Sequence, residues 1–351
     1  MDIISLLKNI FMLDITDIII TVGSPIMIRK MGDLVSIDTT ILTPQDCEAI
    51  IKSALNESQW EQFVNKRELD TSISISGLSR FRINCFWQRN SPGMAIRPVP
   101  LLIKSLNEIG LPPVIYELVN QQSGLILITG PTGQGKSTTL AAIIEYINQT
   151  KMSHIVTIED PIEFLFKNKK SIIEQREVGS DTLSFTNALK HVLRQNPNTI
   201  MIGELRDLET IQLALTIAET GHLVLSTLHT TNSAQAISRI IDIFPAQSKR
   251  YISLQLAMVL NAIVSQRLIK RADERGFVLA LELMKVKPSI RNMIKEHNLQ
   301  NINDAIQTGM DDGMITLNKS LEQLIRNEII TFDEASHVSS NVQELTKIIE
   351  R

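Results

Sequence analysis

The run Gly130-Pro131-Thr132-Gly133-Gln134-Gly135-Lys136-Ser137, followed by Thr138, has the residue types and spacing to hold the phosphates of a nucleoside triphosphate. It matches the pattern G-x-x-x-x-G-K-[ST] in full. Glycines let the backbone curl until its N–H groups face phosphate oxygens, and a helix starting at once adds partial positive charge. Lys136 can reach the β- and γ-phosphates, and the Ser137 hydroxyl can ligate Mg²⁺. The N-K-x-D base reader of GTPases is missing from the sequence. ATP with Mg²⁺ is therefore the expected ligand pair.

Three further constellations could complete such a site. Thr157–Glu163 reads as a strand ending in Glu159, Asp160 and Glu163. Carboxylates at the C-terminal edge of an α/β sheet lie near a bound nucleotide, where one can polarise water and another hold Mg²⁺ or its waters. A solvated acidic turn is the plain alternative. Thr199–Ile202 is an apolar strand followed by Gly203 and Glu204, a Walker B arrangement in which Glu204 contacts Mg²⁺ directly or through water; helix capping is the alternative. Arg206 and Asp207 follow, placed for a salt bridge or for a neighbouring subunit. His222 and His229 bracket Leu223–Leu228. That spacing puts them at opposite ends of one strand and is not the i, i+4 pair of a metal site. An imidazole near a γ-phosphate can sense nucleotide state, and a purely structural role is the alternative for each.

Such groups need a sheet edge to gather them. Leu125–Thr129, His154–Ile158, Thr199–Ile202 and Leu223–Leu228 are continuous apolar or β-branched runs, which suit a parallel sheet covered on both faces. Between them, Ser137–Ile147, Phe185–Leu193 and Leu208–Ala218 carry helical periodicity, so this half is α/β. The first half is different. Ile3, Leu6, Leu7, Ile10 and Phe11 predict an amphipathic helix over residues 2–13, Ile18–Val22 a strand, and Pro44–Leu55 another helix. Ile73 and Ile75, then Phe81, Ile83, Cys85 and Trp87 beyond a Ser76-Gly77 turn, alternate with period two. Arg80 and Arg82 therefore share the opposite face. Arg97-Pro98-Val99-Pro100 is expected to stop regular structure. The chain thus reads as an N-terminal α+β domain over 1–100, an interdomain linker over 101–113, an α/β core over 114–287, and a C-terminal helical region over 288–351 with two or three short helices.

The composition sets limits on function. The 351 residues suggest two domains or slightly more. With 43% hydrophobic and 21% charged residues the chain can build large cores and is not disordered. A net charge of −3 does not suit a dedicated nucleic-acid binder. Cys47 and Cys85, far apart, exclude a disulfide framework and a tetracysteine zinc site, and Cys85 is expected in the core. The N-terminus lacks the basic start of a signal peptide, and no apolar run approaches the roughly 20 residues of a bilayer span. A cytoplasmic location is expected, with membrane association through a partner.

Five runs carry a resemblance: Ile158–Phe164 (IEDPIEF), Gln175–Gly179 (QREVG), Gly203–Asp207 (GELRD), Ala218–Leu223 (AETGHL) and Ser226–Thr231 (STLHTT). They resemble the secretion-type ATPases of type II secretion and type IV pili, most closely the PilT/PilU branch of pilus retraction ATPases, and the similarity extends over nearly the whole chain. The resemblance implies a PAS-like N-terminal domain, a RecA-like core and a homohexameric ring. It implies that Glu163 is the catalytic carboxylate, Glu204 the Walker B acid, His222 and His229 the His-box pair, and Arg82, with Arg80 and Arg97, the arginines that the N-terminal domain supplies to nucleotide. The implied partners are an inner-membrane pilus platform protein and a second retraction ATPase, not nucleic acid. Missing zinc cysteines favour retraction over assembly. The sequence departs from the branch in two places. Ser289–Glu296 replaces A-I-R-x-x-I-R-E, and Thr16–Ile20 replaces S-D-L-H-L without its histidine. Gln88–Met94 and Ile330–Ala335 look more like the accessory PilU. A main motor, an accessory ATPase and, against the charge, a RecA-like nucleic-acid motor are the readings left open.

Overall fold

The computed structural model describes residues 2–10, 15–30, 33–75, 78–100 and 102–350. The expected Ser76-Gly77 turn and Phe11 lie outside the described residues. Two compact units emerge, Met1–Leu102 with Pro161–Leu165, and Ile103–Asp160 with Phe166–Arg351.

The first unit contains α1 (Ile3–Ile10), β1 (Asp17–Ile20), β2 (Met27–Lys30), β3 (Asp33–Ser36), α2 (Pro44–Ala54), α3 (Glu57–Lys66), β4 (Glu68–Ile75), β5 (Ser79–Gln88) and β6 (Ser91–Pro98). The strands form one antiparallel sheet in the order β3-β2-β1-β6-β5-β4. The expected alternation holds on β5, where Phe81, Ile83 and Cys85 are buried. Together with Ile18, Ile20, Met94 and Ile96 they form a core with Leu7, Ile50 and Phe63 from the three helices. Capping boxes start α2 (Thr43 with Asp46) and α3 (Asn56 with Gln59). Burial pushes the Cys85 thiol up to about 12 and the Cys47 thiol up to about 11, so both are inert at neutral pH.

Regular structure stops within this run as expected, because β6 ends at Pro98. β6 runs through Arg97 to Pro98, with Pro98 opposite Phe81. The next pair along is hydrogen-bonded, Val99 N to Arg80 O at 2.8 Å. At Pro98 the missing N–H therefore points away from β5, towards the side where β1, starting only at Asp17, has already ended. A proline removes no ladder bond there.

The second unit holds α4 (Val114–Val119), β7 (Gly124–Thr129), α5 (Lys136–Thr150), β8 (His154–Glu159), β9 (Ile172–Glu177), α6 (Phe185–Val192), β10 (Thr199–Ile202), α7 (Leu208–Glu219), β11 (Leu223–Leu228), α8 (Ser233–Asp242), α9 (Ala246–Val259), β12 (Leu260–Lys270) and β13 (Phe277–Lys285). The sheet order is β13-β12-β7-β11-β10-β8-β9, parallel throughout except for the β12–β13 hairpin. Alternate residues of β7 feed two cores. Leu125 and Leu127 pack with α6–α9, while Ile126 and Ile128 pack with α4 and α5. Leu106 and Leu111, before α4, belong to the latter core.

Beyond the hairpin lie α10 (Pro288–Lys295), α11 (Ile302–Thr308), α12 (Leu317–Arg326), α13 (Phe332–Val338) and α14 (Val342–Ile349). Among the described residues this makes five short α-helices, not two or three. His297, Gly313 and Glu328, all with positive φ, interrupt what periodicity alone runs together. Leu321, Ile330, Ala335 and Leu345 pack on Ile269 and Ala280 of the hairpin. The α/β class and its order hold: an α+β unit, a P-loop core, a helical C-terminal segment. Among the described residues no helix is long and apolar enough to cross a membrane.

Glu282 on β13 is 7% exposed, and its Oε1 accepts from Ser233 N (2.7 Å) and Ser233 Oγ (2.6 Å). Burial still holds this carboxyl above the ordinary value of 4.5, against the Ser233 bonds and the Arg267 charge. A carboxyl with a raised folded-state pKa holds its proton more tightly when folded. Its contribution to stability is full below the unfolded value and is lost as pH rises through the folded one. Urea unfolding should therefore show stability falling as pH climbs above 4.5, and Glu282→Gln should remove that part of the fall. Parallel pH profiles for the two proteins would contradict the assignment.

Candidate functional site

The phosphate loop spans the gap between the end of β7 and the start of α5. Two of its glycines are required by geometry. Gly130 has φ 148°, and a Cβ there would sit 2.8 Å from the Gln266 carbonyl oxygen of β12. Gly135 caps α5 in the left-handed region, φ 78°. The N–H groups of the first turn of α5, in Lys136, Ser137 and Thr138, have no partner within the helix and point out of its N-terminus. Lys136 is 9% exposed. Its Nζ donates to Gly130 O (2.8 Å) and Pro131 O (2.9 Å), so the ammonium lies across the mouth of the loop.

The end of β10 is pinned beside this loop. Ser226 Oγ donates to Ile202 O (2.7 Å), Thr227 Oγ1 to Gly203 O (2.6 Å), and Leu205 N to Thr227 O (3.1 Å). These bonds fix the turn that carries Glu204. Its Oε1 lies 3.0 Å from His229 Nε2, and its Oε2 accepts from Arg206 Nε at 2.8 Å. The other ring nitrogen, His229 Nδ1, is 3.5 Å from both Lys136 Nζ and Thr132 Oγ1. A continuous polar chain therefore runs from Arg206 through Glu204 and His229 to the phosphate loop. Asp207 is spent on helix geometry, accepting from Thr210 N (2.9 Å) and Thr210 Oγ1 (2.8 Å) to cap α7.

The other candidates have partners of their own. His222 lies at the opposite end of β11, about 20 Å away along a strand of this length. Its Nδ1 meets Thr220 Oγ1 (3.1 Å) and Ile217 O (3.2 Å) at the end of α7. Within the acidic run, Glu159 is buried and accepts from Thr157 Oγ1 (2.6 Å) and Gln175 Nε2 (3.1 Å), joining β8 to β9. Glu163 is exposed and belongs to the Pro161–Leu165 segment of the first unit. In that unit Arg82 and Arg97 stand opposite each other on β5 and β6. Arg97 donates Nε (2.9 Å) and Nη2 (2.7 Å) to Asp17 Oδ1, and Arg80 reaches Ser72 Oγ (2.5 Å) and Ser74 Oγ (3.1 Å). The sequence reading missed Gln266 and met Gln175 only as part of the run Gln175–Gly179, with no role of its own, because nothing local marks a side chain whose partner lies on a distant strand.

The donor set suits a triphosphate with a hard divalent cation: backbone N–H groups, one ammonium, one hydroxyl, one carboxylate. Because His229 and Arg206 engage both oxygens of Glu204, its contact to Mg²⁺ would run through water. Gly130→Ala should weaken ADP binding about tenfold or more, since the loop must move off Gln266 or accept a strained φ. A fluorescent-ADP titration, with circular dichroism to confirm the fold, checks this; unchanged affinity would show that the close approach is dispensable.

Comparison with known proteins agrees with this geometry. The family model described as type II/IV secretion system protein matches residues 105–331. The type IV pilus retraction ATPase PilT of Pseudomonas aeruginosa is 43% identical over 335 residues, 95% of this chain and 97% of that one. The type IV pilus ATPase PilU of the same organism is 37% identical over 334 residues, 95% and 87%. The crystal structure of the pilus retraction motor PilT with bound ADP superposes with a TM-score of 0.92 at 42% identity, covering 99% of each chain. A P-loop beside a histidine-linked carboxylate, on a fold matched from end to end, places the chain in the type II/IV secretion protein family, on its PilT/PilU branch of pilus retraction ATPases.

Proposed function

We propose that this chain is the subunit of a homohexameric, Mg²⁺-dependent ATPase motor that powers type IV pilus retraction. The observation that carries the reading is the polar chain from Lys136 through His229 to Glu204, on a fold similar to an ADP-bound retraction motor over 99% of its length. Lys136 would exchange the Gly130 and Pro131 carbonyls for the β- and γ-phosphates. Glu163 would take the proton from the water that attacks the γ-phosphorus. The bond to the β-phosphate oxygen then breaks, leaving ADP and inorganic phosphate. His229 would feel the γ-phosphate at Nδ1 and report it at Nε2 to Glu204 and Arg206. Ser137 directly, and Glu204 through water, would hold the magnesium ion, which supplies charge neutralisation to the phosphates.

In this reading Arg82, with Arg80 and Arg97, reaches nucleotide when the N-terminal domain closes on a core, and His222 serves the His box from the far end of β11. Closure on ATP and reopening on phosphate release would then turn hydrolysis into movement. The ring would work in the cytoplasm against an inner-membrane platform protein, alongside a second retraction ATPase, with no nucleic acid. An accessory role like that of PilU is the second reading, favoured by the Gln88–Met94 segment. Identity of 43% to PilT against 37% to PilU supports the main-motor reading.

Purified protein with Lys136→Ala or Glu163→Gln should lose about 100-fold or more in ATP turnover. Full turnover in either would remove that residue from the site. In cells, deletion of this chain alone should abolish retraction. Retraction that persists without it, or that Lys136→Ala restores, would favour the accessory reading.

A further inference from the structure

β12 outruns its parallel neighbour. Its register with β7 ends at Ser265 opposite Thr129, but the strand continues to Lys270 against β13 alone. Past Ser265, backbone groups on the open edge of β12 face the space where the chain leaves β7 and becomes the phosphate loop. Two of them are Gln266 C=O and Leu268 N–H, which share an edge because they are two residues apart. The Gln266 oxygen accepts from Arg267 Nη1 (3.1 Å) and sets the close approach at Gly130. Leu268 N–H donates to the side-chain oxygen of Gln134, in the crown of the loop, at 2.6 Å.

The same stretch holds the flanks. Ser265 Oγ accepts from Thr129 Oγ1 (2.8 Å) at the entry to the loop. Gln266 Nε2 donates to Thr139 Oγ1 (2.7 Å) in the first turn of α5, both residues being buried. Leu268 also lies in van der Waals range of a Cβ at Gly135. Three residues of β12, Ser265, Gln266 and Leu268, thus touch the entry, the crown and the exit of one loop.

Given the nucleotide reading of that loop, we infer that Gln134 is a positioning residue for phosphate binding and acts through Leu268. Its amide oxygen replaces the strand partner that Leu268 N–H lacks beyond the end of β7. In return β12 holds the crown open in the shape that presents backbone N–H groups to phosphate. Without the acceptor, the loop gains conformations that must be given up on binding, and an N–H is left to find water. The cost falls on ground state and transition state alike, because phosphates occupy the loop in both.

Gln134→Met keeps length and volume and removes the acceptor. KM for ATP and Kd for ADP should each rise about tenfold, with kcat within about twofold of wild type. Amide exchange at Leu268, followed by mass spectrometry on peptides spanning residues 266–270, should accelerate in the variant without nucleotide. Gln134→Glu, which restores an acceptor at the same reach, should restore slow exchange at Leu268 even though its charge opposes phosphate. Unchanged KM and Kd in Gln134→Met, or exchange at Leu268 no faster than in wild type, would overturn the role. So would a loss confined to kcat. Wild-type protein that binds no ADP would instead overturn the nucleotide reading itself.

Discussion

A strand that outruns its neighbour must find other partners for its edge groups, and at β12 the phosphate loop meets the N–H of Leu268 while Arg267 meets the C=O of Gln266. The hairpin extends past β7, and the loop leaves β7 at the same level. The Gln266 carbonyl takes the space a side chain at position 130 would need, and Leu268 N–H takes the oxygen of Gln134. The loop is thereby defined on two sides: by the α5 N-terminus, which supplies the charge pattern, and by β12, which supplies the shape. The turn at Glu204 is held in the same manner, through Ser226 and Thr227 on β11. Neither arm of the site depends on its own sequence alone. Each is an irregular segment tied to a neighbouring strand by hydrogen bonds between a side chain and a backbone group.

Such dependence explains which parts were legible from sequence. The phosphate loop was legible because its chemistry is local: glycines, lysine and serine sit in one run between a strand and a helix. The parallel strands were legible because burial on both faces makes them continuously apolar, as with β7, where all six residues are buried. The hairpin of β12 and β13 was not assigned. It mixes buried Ser265, Gln266 and Glu282 with apolar residues, and these polar groups make sense only with Thr129, Thr139 and Ser233 beside them. The stop at Arg97–Pro100 was legible because proline is a local signal, and β6 ends on Pro98. That Pro98 itself still sits opposite Phe81 depends on the end of β1 on the adjacent edge, which no local signal marks. The spacing of His222 and His229 did place them at opposite ends of a strand, and β11 separates them accordingly. Spacing could not say which end holds the phosphate loop.

The carboxylates divide in a way that residue type could not foretell. Glu159 and Asp207 look as suited to chemistry as Glu204. One is buried between Thr157 and Gln175, and the other caps a helix. Glu204 differs because its partners, His229 and Arg206, can exchange hydrogen bonds with a ligand without dismantling secondary structure. A carboxylate engaged by side chains can respond to a neighbouring phosphate. One engaged by the backbone of a helix start is committed to the fold.

The C-terminal helices α12, α13 and α14 have only 10, 7 and 8 residues. Helices so short are marginal on their own in water, so their persistence rests on Ile269 and Ala280 of the hairpin, as the hairpin's cover rests on them. On the ribosome the phosphate loop emerges more than a hundred residues before the strand that shapes it, and that strand precedes the helices that roof it. A nascent chain therefore carries a glycine-rich loop without its β12 support for much of its synthesis. Support from β12 comes late, once α12, α13 and α14 have been made and can cover the hairpin.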